Sequence, residues 1–251
     1  MSQTHEMTAG NYAYIPGVFQ YSAGVGALPG YRIERARFAD VVPLEEGFAR
    51  IKDHLQKLGR PLTAFCACEL RSPEPFSEAG FRSFNEIYAG TLTAWEIMKD
   101  ETNPVARANV CPEIDPPAQP GFHAFCYTMP TDSNTPSFVI AGSGEVPEGK
   151  ANYRDHIVRR GETGTDALRE KARWVLAEME RRMGAFGGRW ADTTGVQLYT
   201  VHDIHSFLAE EIVRRGAACH GLTWHYNRPP VVELEYEMDC RRVQAEHVLE
   251  A

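Results

Sequence analysis

The sequence predicts an α+β protein in which one strand–helix unit is used twice. Three observations predict it. Segments with strand-like and helix-like apolar patterns follow one another as strand, helix, strand, helix, strand, strand, and that order occurs twice. A Pro-containing turn precedes the last strand each time. A loop-forming stretch, Pro130-Thr131-Asp132-Ser133-Asn134-Thr135-Pro136, separates the two rounds. The expected domains are therefore 1–130 and 137–251, each a mixed β-sheet with two helices packed on one face. At 251 residues the chain has room for two units of ordinary size. A recurrence over half the chain is a domain duplication rather than a solenoid repeat.

In the first round, Leu44, Phe48, Ile51 and Leu55 recur at helical spacing and predict a helix from Pro43 to Leu58. Pro43 suits its first turn and Gly59 its C-terminal stop. The apolar run Leu62 to Leu70 predicts a buried strand. A loop, Ser72-Pro73-Glu74-Pro75, leads to a second helix carrying Phe81, Phe84, Ile87, Tyr88, Leu92 and Trp95. Strands follow at Val105 to Ile114 and Phe122 to Met129. In the second round, Ser137 to Ala141 is a strand ending in Gly142-Ser143-Gly144. A long helix has Leu168, Ala172, Val175, Leu176, Met179 and Met183 on one face. Val196 to Val201 is a strand, His205 to Arg215 a shorter helix, and Cys219 to Tyr226 a strand. After Pro229-Pro230, Val231 to Met238 alternates apolar residues with glutamates as a last strand. Phe65-Cys66-Ala67-Cys68 is apolar on both faces, so the sheet face away from the helices is expected to be covered by a neighbouring copy or subunit.

A composition of 43% hydrophobic and 24% charged residues fits a globular chain able to bury a core. The net charge of −8, with no Lys/Arg cluster, argues against nucleic acid or an anionic membrane as partner. No apolar run approaches the ~18 residues that span a bilayer. The opening Met1-Ser2-Gln3-Thr4-His5-Glu6 lacks the basic-then-apolar order of a signal peptide, so a cytoplasmic protein is expected. The six cysteines lie in or beside apolar stretches and read as small buried hydrophobes rather than a disulfide framework.

Several segments together resemble the RidA/YjgF family, whose domains have a chorismate-mutase-like fold. Ile140-Ala141-Gly142-Ser143-Gly144-Glu145-Val146-Pro147 resembles the family strand ending in Ser-Gly-Gln-x-Pro, with Glu145 in place of Gln. Tyr199 to Phe207 resembles the segment that opens the family's second helix. Phe81-Arg82-Ser83-Phe84-Asn85-Glu86-Ile87-Tyr88 resembles that helix in the first round, and Pro104-Val105-Ala106-Arg107 the Pro-x-Arg opening the next strand. The resemblance implies hydrolysis of a small carboxylate-bearing enamine or imine, aminoacrylate-like or aminomuconate-like, with release of ammonia. It implies no metal or organic cofactor, and a homotrimer with clefts between subunits. Arg107 would hold the substrate carboxylate through paired charge-assisted hydrogen bonds. Asn85 matches the helix Asn, and Glu233 the last-strand Glu near the catalytic water. His220 stands roughly where the first round has Arg107. Asn109 replaces a Cys found two residues after the Arg in many members. Neither round carries the full set, so activity is expected where unlike copies meet. A chorismatase-like or cyclic-amide hydrolase reaction, or a non-catalytic ligand-binding role, is the alternative on the same fold.

The residues themselves admit plainer readings. Arg107 in an apolar strand is an anion site or a structural ion pair. Glu233, Glu235 and Glu237 share one face if the last strand is regular; that face is either solvated or a site where like charges raise one another's pKa. His202, His205, His220 and His225 lack metal-ligand spacing, so no metal is expected; His220 is the preferred acid–base candidate among them. Ser143, Gly144 and Glu145 read as a close-approach turn beside a ligand, and Trp224 as a pocket wall. Cys66 and Cys68 read as core rather than redox chemistry.

Overall fold

Two mixed sheets lie face to face, and each receives a strand from the far end of the chain. The computed structural model describes residues 3–75, 78–150 and 152–250; the side chains of residues 78–83 and 86, Phe81 included, lie outside that description. The elements in order are strands His5–Met7 (β1), Tyr12–Ile15 (β2), Gly24–Ala27 (β3) and Tyr31–Pro43 (β4), helix Leu44–Lys57 (α1), strand Phe65–Arg71 (β5), helix Glu78–Ala94 (α2), and strands Ala106–Pro112 (β6), Gly121–Pro130 (β7) and Phe138–Gly144 (β8). Helix Thr165–Ala185 (α3), strand Gly195–Tyr199 (β9) and the turn His205–Phe207 (α4) follow. The chain closes with strands Thr223–His225 (β10), Asn227–Arg228 (β11), Glu237–Arg242 (β12) and Ala245–Leu249 (β13).

One sheet has the order β11-β6-β5-β7-β4-β13, the other β1-β2-β3-β8-β12-β9-β10. Within them, β4–β7–β5–β6 and β8–β12–β9–β10 carry the same senses: antiparallel, antiparallel, then parallel. The parallel pair needs a crossover, which α2 provides in one half and the α4 region in the other. The termini trade places. β3 pairs antiparallel with β8, and β13 pairs parallel with β4, so each half closes an edge of the other's sheet.

α1 forms for the reasons its sequence suggests. Phe48, Ile51 and Leu55 form one buried face. Glu45 and Glu46 sit in the first turn and His54 and Lys57 in the last, each suited to the helix dipole. Gly59 at φ +64 takes the left-handed stop. α3 buries Leu168, Ala172, Val175, Leu176, Met179 and Met183. In α2 the buried stripe is Phe84, Tyr88 and Leu92, and Ile87 is a correction: it lies off that stripe and is 65% exposed.

The inner sheet faces meet each other. Cys66, Ala67 and Cys126 pack with Tyr12, Val25 and Ala141, so the second face of the first sheet is covered within the same chain. Beside this apolar patch runs a buried polar layer. Arg35 donates to both oxygens of Glu69 at 2.6 and 2.9 Å. Gln197 donates to Glu69 at 3.1 Å and to Asp239 at 3.0 Å, and Tyr199 to Asp239 at 2.7 Å. A hydrogen-bonded layer of this kind fixes how two sheets register.

Three expectations are corrected here. Residues 5–42 form four strands that the apolar pattern does not announce. The strand expected from Cys219 is only Thr223–His225, because Gly216 and Gly221 take positive φ and turn the chain after a π-helical segment at Leu208–Val213. The strand expected from Val231 begins only at Glu237, and a further strand, β13, follows it. Pro229-Pro230 and the carboxylate of Glu145, which accepts the backbone N–H groups of Glu235 and Tyr236 at 2.7 and 3.1 Å, draw the chain away from the ladder first. Glu233 takes φ +77, so Glu233, Glu235 and Glu237 do not share one strand face.

Candidate active site

The two sheets approach most closely where β6 passes β8. Ser22 N donates to Val105 O at 2.9 Å, and Ala141 N to Ala23 O at 3.2 Å. A Cβ on Gly142 would lie 3.2 Å from Ala108 Cα and would collide with Glu237 Oε1, so any larger residue at this crossing would have to displace the Glu237 carboxyl. The approach leaves a cavity of about 260 Å3 lined by residues of both halves, among them Arg107 and Asn109 on β6, Ser143 and Gly144 on β8, and Glu237 on β12. Tyr21, Glu148, Lys150 and Tyr153 also line it. The volume is near the lower bound of ~300 Å3 for ligand pockets, so the site suits a small metabolite.

Arg107 is 3% exposed and held from several sides. Its Nη1 donates to Asn85 Oδ1 on α2 at 2.6 Å. Its guanidinium lies over the rings of Tyr88, Tyr21 and Phe84 at 5.0, 5.5 and 5.9 Å. Glu237, which lines the same cavity, is 4% exposed, and its carboxyl has no hydrogen-bond partner among the described residues. Burial pushes this carboxyl well above the usual carboxylate range, and the nearby Asp239 and Glu145 push it further; Arg71 and Arg182 oppose the shift. A buried acid with a raised pKa, lining a cleft that also holds a guanidinium, is a candidate proton-transfer group. Ser143 is held by Arg182, whose Nη2 donates to Ser143 Oγ at 3.2 Å and pairs with Glu148 at 3.1 Å. Arg182 is fully buried on α3. Asp239, in the polar layer behind Glu237, is raised to about 6 by burial and the neighbouring Glu69.

Of the residues singled out in the sequence, the fold brings together Arg107, Asn85, Ser143 and Gly144. The others lie elsewhere. Glu145 and Lys171 form a wholly buried ion pair at 3.0 Å that anchors the loop before β12 and does not line the cavity. Glu233 pairs with Arg154 and Arg160 at 3.0 and 2.8 Å, outside the cavity. His220 is exposed in the turn after the π-helical segment, with Nε2 3.4 Å from Ala191 O. Trp224 donates to Thr200 O at 2.9 Å and borders a separate surface cleft with His202 and His205. His225 bonds Gln197 at 3.1 Å and is pushed down to about 4 by burial and Arg71. Burial raises Cys68 to about 12, which makes it an inert thiol. Among the described residues, no group of three or more His, Cys, Asp or Glu is arranged to hold a metal.

Sequence reading missed Tyr21, Glu148, Lys150 and Arg182 altogether and ranked Glu237 behind Glu233. Arg182 did carry a signal. It lies one position before Met183 and three after Met179, a charge beside a helix's apolar stripe. Glu237 carried only its place in an alternating run, which ranks three glutamates equally.

A family model described as CnbZ, 2-aminomuconate deaminase, matches residues 4–247. The 2-amino-5-chloromuconate deaminase of Comamonas testosteroni is 52% identical over 242 residues, which cover 96% of each chain. A crystal structure of a chorismatase shares the fold with a TM-score of 0.54, covering 91% of this chain and 79% of that one, at 11% identity. At that identity the likeness concerns the fold alone.

Proposed function

The chain belongs to the CnbZ family of 2-aminomuconate deaminases, and on that premise we propose that it hydrolyses a 2-aminomuconate-type dienamine dicarboxylate to the corresponding 2-oxo acid and ammonia. The observation that carries the proposal is one cavity holding a guanidinium, Arg107, and a buried acid without a hydrogen-bond partner among the described residues, Glu237. The charge balance of the lining supports a dianion. Glu148 is paired with Arg182, burial raises the Glu237 pKa and so favours its neutral form, and Arg107 and Lys150 supply positive charge.

In this reading, Arg107 binds the carboxylate next to the amino-bearing carbon. Asn85 and the aromatic rings hold the guanidinium in place, so little ordering remains to be done when substrate arrives. Protonated Glu237 gives its proton to a carbon of the dienamine as the nitrogen lone pair forms the C=N bond. The resulting carboxylate takes a proton from water, which adds to the imine carbon. Glu237 then protonates the amine, ammonia leaves, and the hydroxyl proton returns to the carboxylate as the C=O bond forms. One water is consumed, one C–N bond is broken, and Glu237 ends in the state in which it began. Glu237 thereby takes the last-strand role that the family resemblance suggested for Glu233. The identical ladder order of the two halves supports reading them as two RidA/YjgF-like copies, with the site between unlike copies of one chain.

The test is ammonia release from 2-aminomuconate and from aminoacrylate. The proposal expects release from the dicarboxylate, with Arg107→Ala reducing kcat/KM. No release from 2-aminomuconate by the wild-type protein sinks it.

A further inference from the structure

Asn109 lies two residues beyond Arg107 on β6, so both side chains project from the same strand face, and both line the cavity. Ser72 Oγ donates to Asn109 Oδ1 at 2.9 Å. That bond sets which way the amide faces, because Oδ1 is the acceptor and Nδ2 the donor. Nδ2 is then buried with no acceptor among the described residues, on a side chain that is 4% exposed overall. A buried donor left unmade costs stability unless something in the cavity accepts from it. The acceptor cannot be the substrate's amino group in its donor role, since Nδ2 only donates. A carboxylate oxygen of the ligand is an acceptor of the right kind.

In the reading above, Arg107 takes one carboxylate. Asn85 takes one of its N–H groups, and Tyr88 and Tyr21 cover its plane. Two residues along a strand advance about 6.6 Å, a span similar to that between the ends of an extended six-carbon diene. We propose that Asn109 donates a hydrogen bond to the second carboxylate of the substrate and so makes the site selective for dicarboxylates over monocarboxylates with the same carbon skeleton. The proposal rests on the dicarboxylate reading above. It goes further in assigning a residue to the distal group and in giving that residue a specificity role rather than a role in proton transfer.

The probes are muconate, which has both carboxylates and no amino group, and sorbate, the same diene with one carboxylate replaced by methyl. Binding of each to the full-length protein is measured by calorimetry, alongside ammonia release from 2-aminomuconate. Wild type should prefer muconate. Asn109→Ala should weaken muconate about tenfold, the size expected for a hydrogen bond to a charged group, and leave sorbate within about twofold. Asn109→Asp keeps the shape and replaces the donor by a like charge, so it should weaken muconate more than Asn109→Ala does. If the alanine variant loses its circular dichroism spectrum, the aspartate variant carries the comparison alone. Equal weakening of both probes, unchanged muconate binding in both variants, or no preference in the wild type overturns the proposal. Selective muconate binding without any ammonia release sustains it while overturning the deaminase reading, so the two failures are distinct.

Discussion

Replacing Glu237 with Gln should slow turnover at least a hundredfold and at the same time strengthen the fold at neutral pH. The side chain keeps its shape and loses its proton chemistry. Positioned acid–base groups contribute about 10²–10⁴-fold to rate, so kcat should fall by that factor, or about 2.7–5.5 kcal/mol of barrier. KM should change little, because Arg107 remains. The stability effect follows from the same burial. The carboxyl is 4% exposed, faces Asp239 and Glu145, and its pKa is raised well above the ordinary 4.5. A raised acid binds its proton more tightly when folded. Its contribution is therefore fully present below the unfolded pKa and is lost as pH rises toward the folded value, at up to about 1.4 kcal/mol per pH unit. The Glu237→Gln variant has no carboxyl at this position and would lack that slope. Chemical denaturation of both proteins at a series of pH values from about 4 to 8 should show a gap that widens in favour of the variant as pH rises. Steady-state ammonia release gives the kinetic half. A variant that keeps more than a tenth of wild-type kcat, or a stability gap that does not vary with pH, refutes the assignment.

Arg107→Ala should raise KM for 2-aminomuconate by about 10–100-fold, the value of a charge-assisted carboxylate contact, measured in the same assay; an unchanged KM argues against the anion site. Gly142→Ala should lower kcat more than tenfold, since its methyl group would displace the Glu237 carboxyl, and should cost about 1–3 kcal/mol in urea unfolding. Lys171→Met leaves Glu145 buried without its partner at 3.0 Å, and should destabilise the protein by about 3–5 kcal/mol, read as a lowered urea midpoint. Glu233→Ala should change kcat less than tenfold, because its ion pairs with Arg154 and Arg160 are partly exposed and screened; a thousandfold loss would return the catalytic role to Glu233.

Much of the element pattern was readable from apolar spacing. α1 and α3 bury the faces that their periodicity indicates, because a helix's contact stripe is written locally. β5 and β7 are apolar runs for the same reason. Where a competing interaction diverts the backbone, spacing misleads. Val231 to Tyr236 alternates like a strand, yet two of its N–H groups are taken by Glu145, a residue about ninety positions earlier. Cys219 and His220 read as strand, yet two glycines at positive φ turn the chain there. The strands before Pro43 carry little apolar alternation of their own. β1, β2 and β3 complete the sheet that contains β8, and β4 lies between β7 and β13 in the other sheet.

The candidate site divides in the same way. Arg107, Asn85, Ser143 and Gly144 could be singled out from motif and residue chemistry, since each is unusual where it stands in the sequence. That they face one another was not contained in any local pattern. It depends on β6 of one half crossing β8 of the other at Gly142 and Ala108, and on the termini exchanging sheets to hold the halves together. The choice among the glutamates was likewise tertiary. Glu233 and Glu237 look alike in sequence, and only burial beside Asp239 and Glu145 gives Glu237 a raised pKa. Sequence alone determined the two long helices, the buried strands and the singling out of Arg107, because those depend on neighbours along the chain. Tertiary structure decided which acid shares a cavity with that arginine and has a raised pKa, because desolvation and long-range charge act through space.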